Sequence, residues 1–243
     1  KLVVDLTHFG QKVPTIPVQR IMQIGALAPV RRQIDPRPSW CAVFTKAYAR
    51  VAQEMPELRR AYIPLPWARL YEHSENIASI AVEREYRGEN GVFFGHLHAP
   101  ESMSLAQIDE VLRRFKSTPI DESPDFLWSL RITRLPLLLR RFAWWYVTQV
   151  RGFRKAIWLG TFGVSVYSSL GAESLHPISP LTSLLNYGVI HPSGEVCVRI
   201  VYDHRVMDGS TVARALERLE RVLNEDILTE LKTLAAKQTS AVA

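Results

Sequence analysis

A histidine, two aspartates and an arginine fall within seven residues of the sequence, from Asp203 to Gly209. An apolar alternating segment, 196–201, precedes them, and an amphipathic helical pattern runs from Ser210 to about Leu223. The group therefore occupies a turn between a predicted strand and a predicted helix, where a loop can carry chemistry on a rigid base. A neutral imidazole at that point could take a proton from a thiol or hydroxyl nucleophile.

The same residues also allow a purely structural interpretation. Asp208 could cap the helix that begins at Ser210, which would leave His204 as an ordinary loop residue. Arg205 could tie the turn down through paired hydrogen bonds to a carboxylate, and Gly209 allows the backbone to turn sharply into the helix. Taken alone the turn favours neither interpretation, because one such His–Asp spacing is unremarkable in a chain with seven histidines.

The elements that must position this turn are predicted from hydrophobic periodicity and from turn residues. Residues 1–38 are rich in proline and predict an N-terminal arm, with short helices at 2–9 and 18–27. The remainder predicts one domain, 39–236, and a polar tail, 237–243. Its predicted helices are 40–54, 104–116, 210–223 and 225–234, and its predicted strands are 70–72, 77–82, 92–97, 161–167, 185–190 and 196–201. This order of elements indicates an α/β (α+β) fold in which a mixed β-sheet is covered by helices.

Composition bounds the class of protein. The chain has 243 residues, of which 47% are hydrophobic and 22% charged, which is enough for a sizeable core. Cys41 and Cys197 stand far apart in apolar surroundings, so we expect a reducing, cytoplasmic compartment. No apolar run in the first thirty residues is long enough for a signal peptide. His96 and His98 share one strand face without a third ligand, so we expect no metal site.

The positive charge is concentrated in one segment. The formal net charge is +6, and the seven basic residues between Phe126 and Leu159 stand without any acid, so the remainder sums to −1. That distribution argues against a nucleic-acid-binding footprint spread over the fold. Segment 126–158 also holds four of the six tryptophans, but no stretch reaches the roughly 18 apolar residues of a spanning helix.

The motif Asp203-His204-Arg205-Val206-Met207-Asp208-Gly209 resembles the DHRxxDG signature of the catalytic domain of dihydrolipoamide acyltransferases from 2-oxo acid dehydrogenase complexes. That family shares its fold with chloramphenicol acetyltransferase. Two upstream stretches are similar to family motifs in the same order: GTFGVS at 160–165 with LGAE at 170–173, and Pro177 with Pro180-Leu181-Thr182. Condensation domains of peptide synthetases carry a second histidine where this chain has Asp203, which favours the dihydrolipoamide branch.

The resemblance implies a chloramphenicol acetyltransferase-like, coenzyme A-dependent fold and a role for several residues. His204 is implied as the general base and Ser165 as the donor to the oxyanion. Asp208 is implied to hold the turn through an arginine, for which Arg205 is the candidate. The family also implies a homotrimer that binds coenzyme A in a channel between subunits. Asp203 and Gly209 are then structural supports, and Thr161 is a candidate for contact with substrate.

Two departures limit what the resemblance implies. No lipoyl domain, subunit-binding domain or Ala/Pro linker precedes the catalytic region, so we expect a stand-alone catalytic domain. Segment 126–158 is also unlike the family, and its side chains Arg140, Arg141, Trp144 and Trp145 are candidates for substrate or partner binding. It has three interpretations: a core or subunit-contact helix with snorkelling arginines, a surface for an acidic carrier protein or for coenzyme A phosphates, and a peripheral membrane patch.

Two functions of different classes follow. The first is an acyltransferase that moves an acyl group between coenzyme A, or a carrier-protein thioester, and a thiol, hydroxyl or amine, with no metal. The second is a non-catalytic oligomeric scaffold that kept the fold and uses segment 126–158 to bind a partner or a membrane.

Overall fold

The computed structural model describes residues 1–242, without the side chains of Ser169, Ala241 and Val242. The strands are β1 (Thr15–Gln23), β2 (Arg60–Ile63), β3 (Arg69–Glu72), β4 (Ile77–Tyr86), β5 (Glu89–His98), β6 (Phe162–Val164), β7 (Ser183–Tyr187) and β8 (Glu195–Asp203). The α-helices are α1 (Leu2–Gly10), α2 (Leu27–Arg32), α3 (Trp40–Glu54), α4 (Leu105–Ser117), α5 (Pro124–Arg134), α6 (Leu137–Gln149), α7 (Gly152–Leu159), α8 (Gly209–Val222) and α9 (Leu228–Val242).

A six-stranded mixed sheet forms the centre of the fold, in the order β1-β8-β7-β6-β4-β5, and β2 and β3 form a separate antiparallel pair. Strand β6 runs parallel to both β4 and β7, whereas β7 runs antiparallel to β8. Helix α8 packs against β1, β8 and α3, and α5 to α7 pack near β2, β4 and β5. The predicted fold class, a mixed sheet covered by helices, is confirmed.

The helices with the strongest local signals were predicted well. Helix α3 matches its predicted range, and Ser39 caps it by accepting the Ala42 backbone N–H at 3.1 Å. Helix α4 begins with the predicted capping box of Ser104 and Gln107. In α8 the buried residues recur every three or four positions, as an amphipathic helix requires: Val212, Ala215, Leu216, Leu219 and Val222.

Several predicted elements were wrong. The helix predicted over 18–27 is replaced largely by β1, an edge strand that pairs with β8 along its whole length. An edge strand tolerates Pro17, because the missing N–H there can face away from the ladder. The strand predicted over 161–167 is only Phe162–Val164.

At the C-terminus a π-helical turn at Leu223–Ile227 joins α8 directly to α9, which continues to Val242. The residues 237–242 of the predicted tail are therefore helical, and Ala243 lies outside the described residues. The division into an arm, a domain and a tail stays a prediction.

The core divides into two clusters. The larger one joins the sheet to α3, α4, α8 and α9. A smaller one lies between α1 and the α5–α7 segment, and consists of Phe9, Ile132, Trp144, Leu159 and Leu181. Within the described residues no helix combines the length and the apolarity needed to cross a bilayer.

Candidate active site

The turn that carries the histidine is held by an ion pair between its neighbours. Asp203, the last residue of β8, is fully buried. Its carboxylate accepts bonds from Arg205 Nε at 2.9 Å and Nη2 at 2.7 Å, and also from the Arg205 backbone N–H at 3.0 Å. The guanidinium lies 4.5 Å from the ring centre of Tyr62. This bidentate pair fixes the residues on both sides of His204.

The side chain of His204 is exposed at the end of β8. Its backbone N–H donates to the Pro14 carbonyl at 3.0 Å, and its ring lies 5.7 Å from that of Tyr202. The backbone is therefore fixed while the imidazole faces outward. A group placed in this way can accept a proton from a molecule that approaches the surface.

Asp208 caps helix α8 and does not pair with Arg205, which corrects the suggested pairing. It accepts the Thr211 backbone N–H at 2.8 Å and the Ser210 hydroxyl at 2.8 Å. The bond from the Thr211 backbone, followed by the hydroxyls of Ser210 and Thr211, lowers the pKa of Asp208 to about 2. Asp208 is therefore ionised at neutral pH and serves the helix start.

Two buried bases lie behind the turn, and sequence reasoning missed both. Lys155 of α7 is 3% exposed, and burial lowers its pKa to about 8, although Asp203 acts in the opposite direction. Burial also lowers the pKa of His73 to about 4, with Lys155 as the next cause. No local pattern marks Lys155, since only the packing of α7 near β2 and β4 brings it to the turn.

Ser165 directly follows β6 and is nearly buried. Its N–H donates to the Leu185 carbonyl at 3.2 Å, and its carbonyl accepts from Asn186 Nδ2 at 2.6 Å. Thr161 begins the same stretch but is bound to Ile77, whose N–H donates to its hydroxyl at 2.9 Å. Thr161 is therefore part of the sheet's bonding, and its contact with substrate stays a prediction.

Ser165 and His204 lie far apart within one chain. Val164 pairs with Leu185, and Leu185 pairs with Ile200. Ser165 is therefore level with Arg199 of β8, which is five residues before His204. With about 3.4 Å per residue and two strand spacings of about 4.8 Å, the two Cα atoms are separated by about 20 Å. Within a single chain, the two side chains therefore cannot contact the same substrate molecule.

Two spaces meet at Ser165. One is a groove of about 1350 Å³ between α4, the α2–α3 connection and the sheet. The other is a smaller cavity of about 160 Å³ on the side of α1 and α5–α7. Both spaces are lined by Ala81, Val92, Val164, Ser165 and Tyr167.

The groove carries charges of both signs, since Glu83, Asp109 and Glu110 line it together with four cations. Glu110 pairs with Arg113 at 2.8 Å, whereas Arg84 donates to the carbonyls of Phe115 and Thr118, which orient it but leave its charge in place. Within the described part of the chain, the lining cations Arg37 and Lys116 have no acidic partner within ion-pair distance. These two cations are therefore able to receive an anionic ligand.

Segment 126–158 folds into α5, α6 and most of α7. Arg140 is buried and pairs with the fully buried Asp5 of α1, and Arg141 lies 3.2 Å from the same carboxylate. Trp144 is buried and stacks on Phe9 at 5.8 Å. Trp145 is 39% exposed. Arg140 and Trp144 thus have intramolecular partners, and a binding role for any of these four side chains stays a prediction.

The outer side of this segment is apolar and exposed. Leu138, Phe142 and Trp145 form one helical stripe on α6, with exposures of 82%, 62% and 39%, and Phe153 of α7 is 62% exposed.

Among residues 1–242 no three His, Cys, Asp or Glu side chains are grouped closely enough to hold a metal ion.

Comparison with known proteins gives the fold but no family. No family model and no curated protein matches the chain. Solved structures do match. A dihydrolipoamide acetyltransferase of Azotobacter vinelandii, described in work on a serine, a histidine and an asparagine in its catalytic mechanism, is 17% identical with a TM-score of 0.67 over 94% of this chain and 88% of that one.

Two further structures agree. The cubic core of the pyruvate dehydrogenase multienzyme complex has a TM-score of 0.66 and 17% identity, over 94% of this chain and 88% of that one. A chloramphenicol acetyltransferase has a TM-score of 0.54 and 13% identity, over 92% of this chain and 95% of that one. The chain therefore has the fold that chloramphenicol acetyltransferase shares with the catalytic cores of dihydrolipoamide acetyltransferases.

Proposed function

We propose that this protein is an acyltransferase that moves an acyl group between coenzyme A, or a carrier-protein thioester, and a thiol, hydroxyl or amine acceptor. The observation that carries the proposal is the turn at His204, where the buried carboxylate of Asp203 and the guanidinium of Arg205 form a pair that holds an exposed imidazole at the end of β8. A similar structure is described through a histidine and an asparagine four positions apart in its catalytic mechanism. His204 and Asp208 have the same spacing.

In the proposed reaction His204 removes the proton from the acceptor as the acceptor attacks the thioester carbonyl carbon. The carbonyl oxygen becomes an oxyanion, which accepts a hydrogen bond from the Ser165 hydroxyl. The tetrahedral intermediate then expels the coenzyme A thiolate. The imidazolium of His204 returns its proton to that sulfur, so the imidazole is neutral at the start and at the end.

The reaction requires a second copy of the chain, because Ser165 and His204 are about 20 Å apart within one. We propose a homotrimer in which Ser165 of one subunit faces His204 of the next. A heterologous contact that closes into a ring gives every subunit the same neighbour and therefore builds identical sites.

The groove is the proposed entry for coenzyme A as a substrate. It leads to Ser165, and its cations Arg37 and Lys116 could receive phosphate groups. An acidic carrier protein could bind the same two cations, Arg37 and Lys116.

The exposed stripe on α6 supports a second candidate, a scaffold that binds a partner or a membrane surface. Its apolar side chains stand beside exposed arginines of the same segment, Arg134, Arg151 and Arg154, a combination that suits an anionic interface. An enzyme with a cytoplasmic, membrane-peripheral location would combine both proposals.

Thiol release from a panel of acyl-coenzyme A thioesters, with thiol, hydroxyl and amine acceptors, tests the proposed function. We expect His204→Ala to lower kcat by about 10²–10⁴-fold and Ser165→Ala by about 10²–10³-fold. The matched control is His191→Ala, since His191 is exposed in the turn between β7 and β8. Activity of His204→Ala equal to wild type would remove the mechanism. Tight binding to anionic vesicles, without binding or turnover of any thioester, would favour the scaffold.

A further inference from the structure

The outer side of helix α6 exposes large apolar side chains although its inner side is firmly packed. Leu138, Phe142 and Trp145 follow one another at spacings of four and three residues, and all three are exposed. On the inner side the buried Trp144 stacks on Phe9 of α1. Because this packing fixes the rotation of the helix, the apolar stripe faces solvent in the folded chain.

The connection between β2 and β3 extends this apolar area beyond the end of α6. The Leu65 N–H donates to the Gln149 carbonyl at 3.0 Å, and Arg69 Nη2 donates to the Val150 carbonyl at 3.2 Å. These bonds hold the connection, including Trp67, beside the C-terminal end of α6. Trp67 is 74% exposed. Two segments far apart in the sequence therefore bring exposed apolar side chains to the same part of the molecule.

Arginines stand at both ends of the stripe. Arg134 precedes α6, Arg151 follows it, and both are exposed. Arg151 Nε donates to the Tyr146 hydroxyl at 3.0 Å, and the Tyr146 ring stacks on Phe142 with 6.5 Å between the ring centres. The guanidinium of Arg151 is therefore held at the border of the apolar stripe.

No acid of the same segment balances these arginines. Segment 126–158 contains seven basic residues and no acidic one. Within the described residues, its ion pairs are those that join Arg140 and Arg141 to Asp5. Four exposed arginines of the segment are left without an acidic partner: Arg131, Arg134, Arg151 and Arg154.

The charge and the shape of this area fit a lipid surface better than another copy of the chain. The residues outside 126–159 sum to a charge of only −1, so a second copy would bring no excess of negative charge to the arginines. An anionic bilayer offers negative headgroups above apolar chains, which match the arginines and the stripe together. Since only the outer side of α6 is available, the helix would lie along the bilayer surface.

We propose that the outer side of α6 binds the surface of an anionic lipid bilayer. The binding surface consists of six exposed side chains: Trp67, Arg134, Leu138, Phe142, Trp145 and Arg151. The apolar side chains enter the boundary between headgroups and acyl chains, and the arginines bind the negative headgroups. This binding goes beyond the proposed acyl transfer and does not require it, so either can hold without the other.

Co-sedimentation of the full chain with lipid vesicles measures the binding. Vesicles of phosphatidylcholine alone are compared with vesicles in which about one third of the lipid is phosphatidylserine. We expect saturable binding to the anionic vesicles, which weakens at high salt, and much weaker binding to phosphatidylcholine alone. If the chain does not bind the anionic vesicles, the proposal is wrong.

Two substitutions test the apolar stripe. Leu138→Gln and Phe142→Gln change exposed side chains, so the fold should tolerate them, and each should weaken vesicle binding about tenfold. The matched control is Leu175→Gln, because Leu175 is 71% exposed in the loop between β6 and β7. Its affinity for vesicles should equal that of wild type. Unchanged binding in both stripe variants would overturn the proposal.

The arginines are tested by a double variant. Arg134→Gln with Arg151→Gln should weaken binding to anionic vesicles about 25-fold, which is about fivefold for each arginine near the surface. Lys232→Gln with Lys237→Gln removes the same charge from exposed positions of α9, and should leave the affinity close to wild type. An equal loss in both double variants would show that net charge, and not this surface, controls binding.

Quenching by brominated acyl chains reports which tryptophans enter the bilayer. The quenching of tryptophan fluorescence should fall in Trp67→Phe and in Trp145→Phe, whereas Trp40→Phe, a change in α3, should leave it in place. Undiminished quenching in both surface variants would show that another part of the chain meets the bilayer.

Two further measurements separate the bilayer from other occupants. If Leu138→Gln or Phe142→Gln dissociates the assembly in size-exclusion chromatography, the surface is a contact between copies of the chain. If soluble polyglutamate binds as tightly as the anionic vesicles, the surface fits an acidic protein instead. Either result would overturn the proposal. Thiol release by the two stripe variants without vesicles should equal wild type, so a failure of acyl transfer and a failure of bilayer binding are observed separately.

Discussion

Ser165 and His204 stand at the ends of strands that point in opposite directions. Strand β6 runs parallel to β7, and β7 runs antiparallel to β8. Ser165, which follows β6, and His204, which follows β8, therefore lie at opposite ends of the strands. A site that uses both side chains would therefore have to be built between copies of the chain.

This separation predicts complementation between two inactive variants. Co-expressed His204→Ala and Ser165→Ala chains should assemble into mixed trimers in which some interfaces join an intact Ser165 to an intact His204. Random mixing in equal amounts gives such a pair at about a quarter of the interfaces, so about a quarter of wild-type activity should return. The measurement is thiol release by the co-purified mixture, with size-exclusion chromatography to establish the assembly. If the mixture is no more active than either variant alone, Ser165 and His204 do not act together in a site between subunits.

The Asp203–Arg205 pair should be essential to the stability of the turn. Asp203→Asn removes the buried carboxylate that pairs with the partly exposed Arg205 and attracts Lys155, and losing charge-assisted hydrogen bonds of this kind costs about 1.5–3 kcal/mol. Urea unfolding should show the loss, and Lys155→Met should recover part of it in the double variant because one uncompensated charge is removed. If the effects of the two changes simply add, Lys155 and Asp203 are not coupled.

Asp208 should act through helix capping alone. Asp208→Asn keeps a good N-cap, so activity and melting temperature should both stay close to wild type. Asp208→Ala loses the bond to the Thr211 N–H and should lower Tm by about 2–4 °C. The comparison is made by calorimetry and thiol release. A large loss of activity in Asp208→Asn at unchanged Tm would show that the charge itself is needed.

The cations of the groove should matter for the nucleotide part of coenzyme A. Removing both with Arg37→Ala and Lys116→Ala should weaken coenzyme A binding about tenfold at low salt, and less at high salt. Thioesters of pantetheine, which lack the nucleotide, should keep their KM. Isothermal titration at two salt concentrations measures the difference, and equal weakening of both ligand types would assign the cations a structural role.

Buried His73 should make stability fall in acid. Its folded pKa, about 4, lies below the unfolded value of about 6.5, so the unfolded chain takes up the proton first. The contribution of His73 to the free energy of unfolding is constant above about pH 6.5, decreases as pH falls towards 4, and falls by about 3 kcal/mol at most. Burial also lowers the pKa of His96 to about 4, so His73→Gln should remove only its own part and make the profile shallower in urea unfolding at pH 7.5, 6 and 5, whereas the exposed His191→Ala should leave it unchanged.

The local signals in the sequence were sufficient for much of the fold and for one part of the site. The periodicity of α3, α4 and α8 predicted those helices, and Asp208 two residues before Ser210 indicated the helix cap that the structure shows. The order of the predicted strands and helices indicated the fold class, and the resemblance carried by three separated motifs implied its chloramphenicol acetyltransferase-like form. The helix and cap signals depend on neighbours within one or two helical turns, so they can be predicted from short-range hydrogen bonding and periodic burial.

Tertiary structure decided the relationships that depend on distant residues. The partner of Arg205 is Asp203 rather than Asp208, because Asp203 turns inward at the strand end while Asp208 turns to its own helix. The packing of α7 brings Lys155 near enough for Asp203 to raise its pKa. The strand directions place Ser165 and His204 at opposite ends of the strands. Helix α1 and helices α5–α7 together line a cavity that no single segment could form. Burial and strand pairing sum contributions from residues far apart in sequence, so a local pattern predicts which residues are apolar or reactive but not which of them will meet.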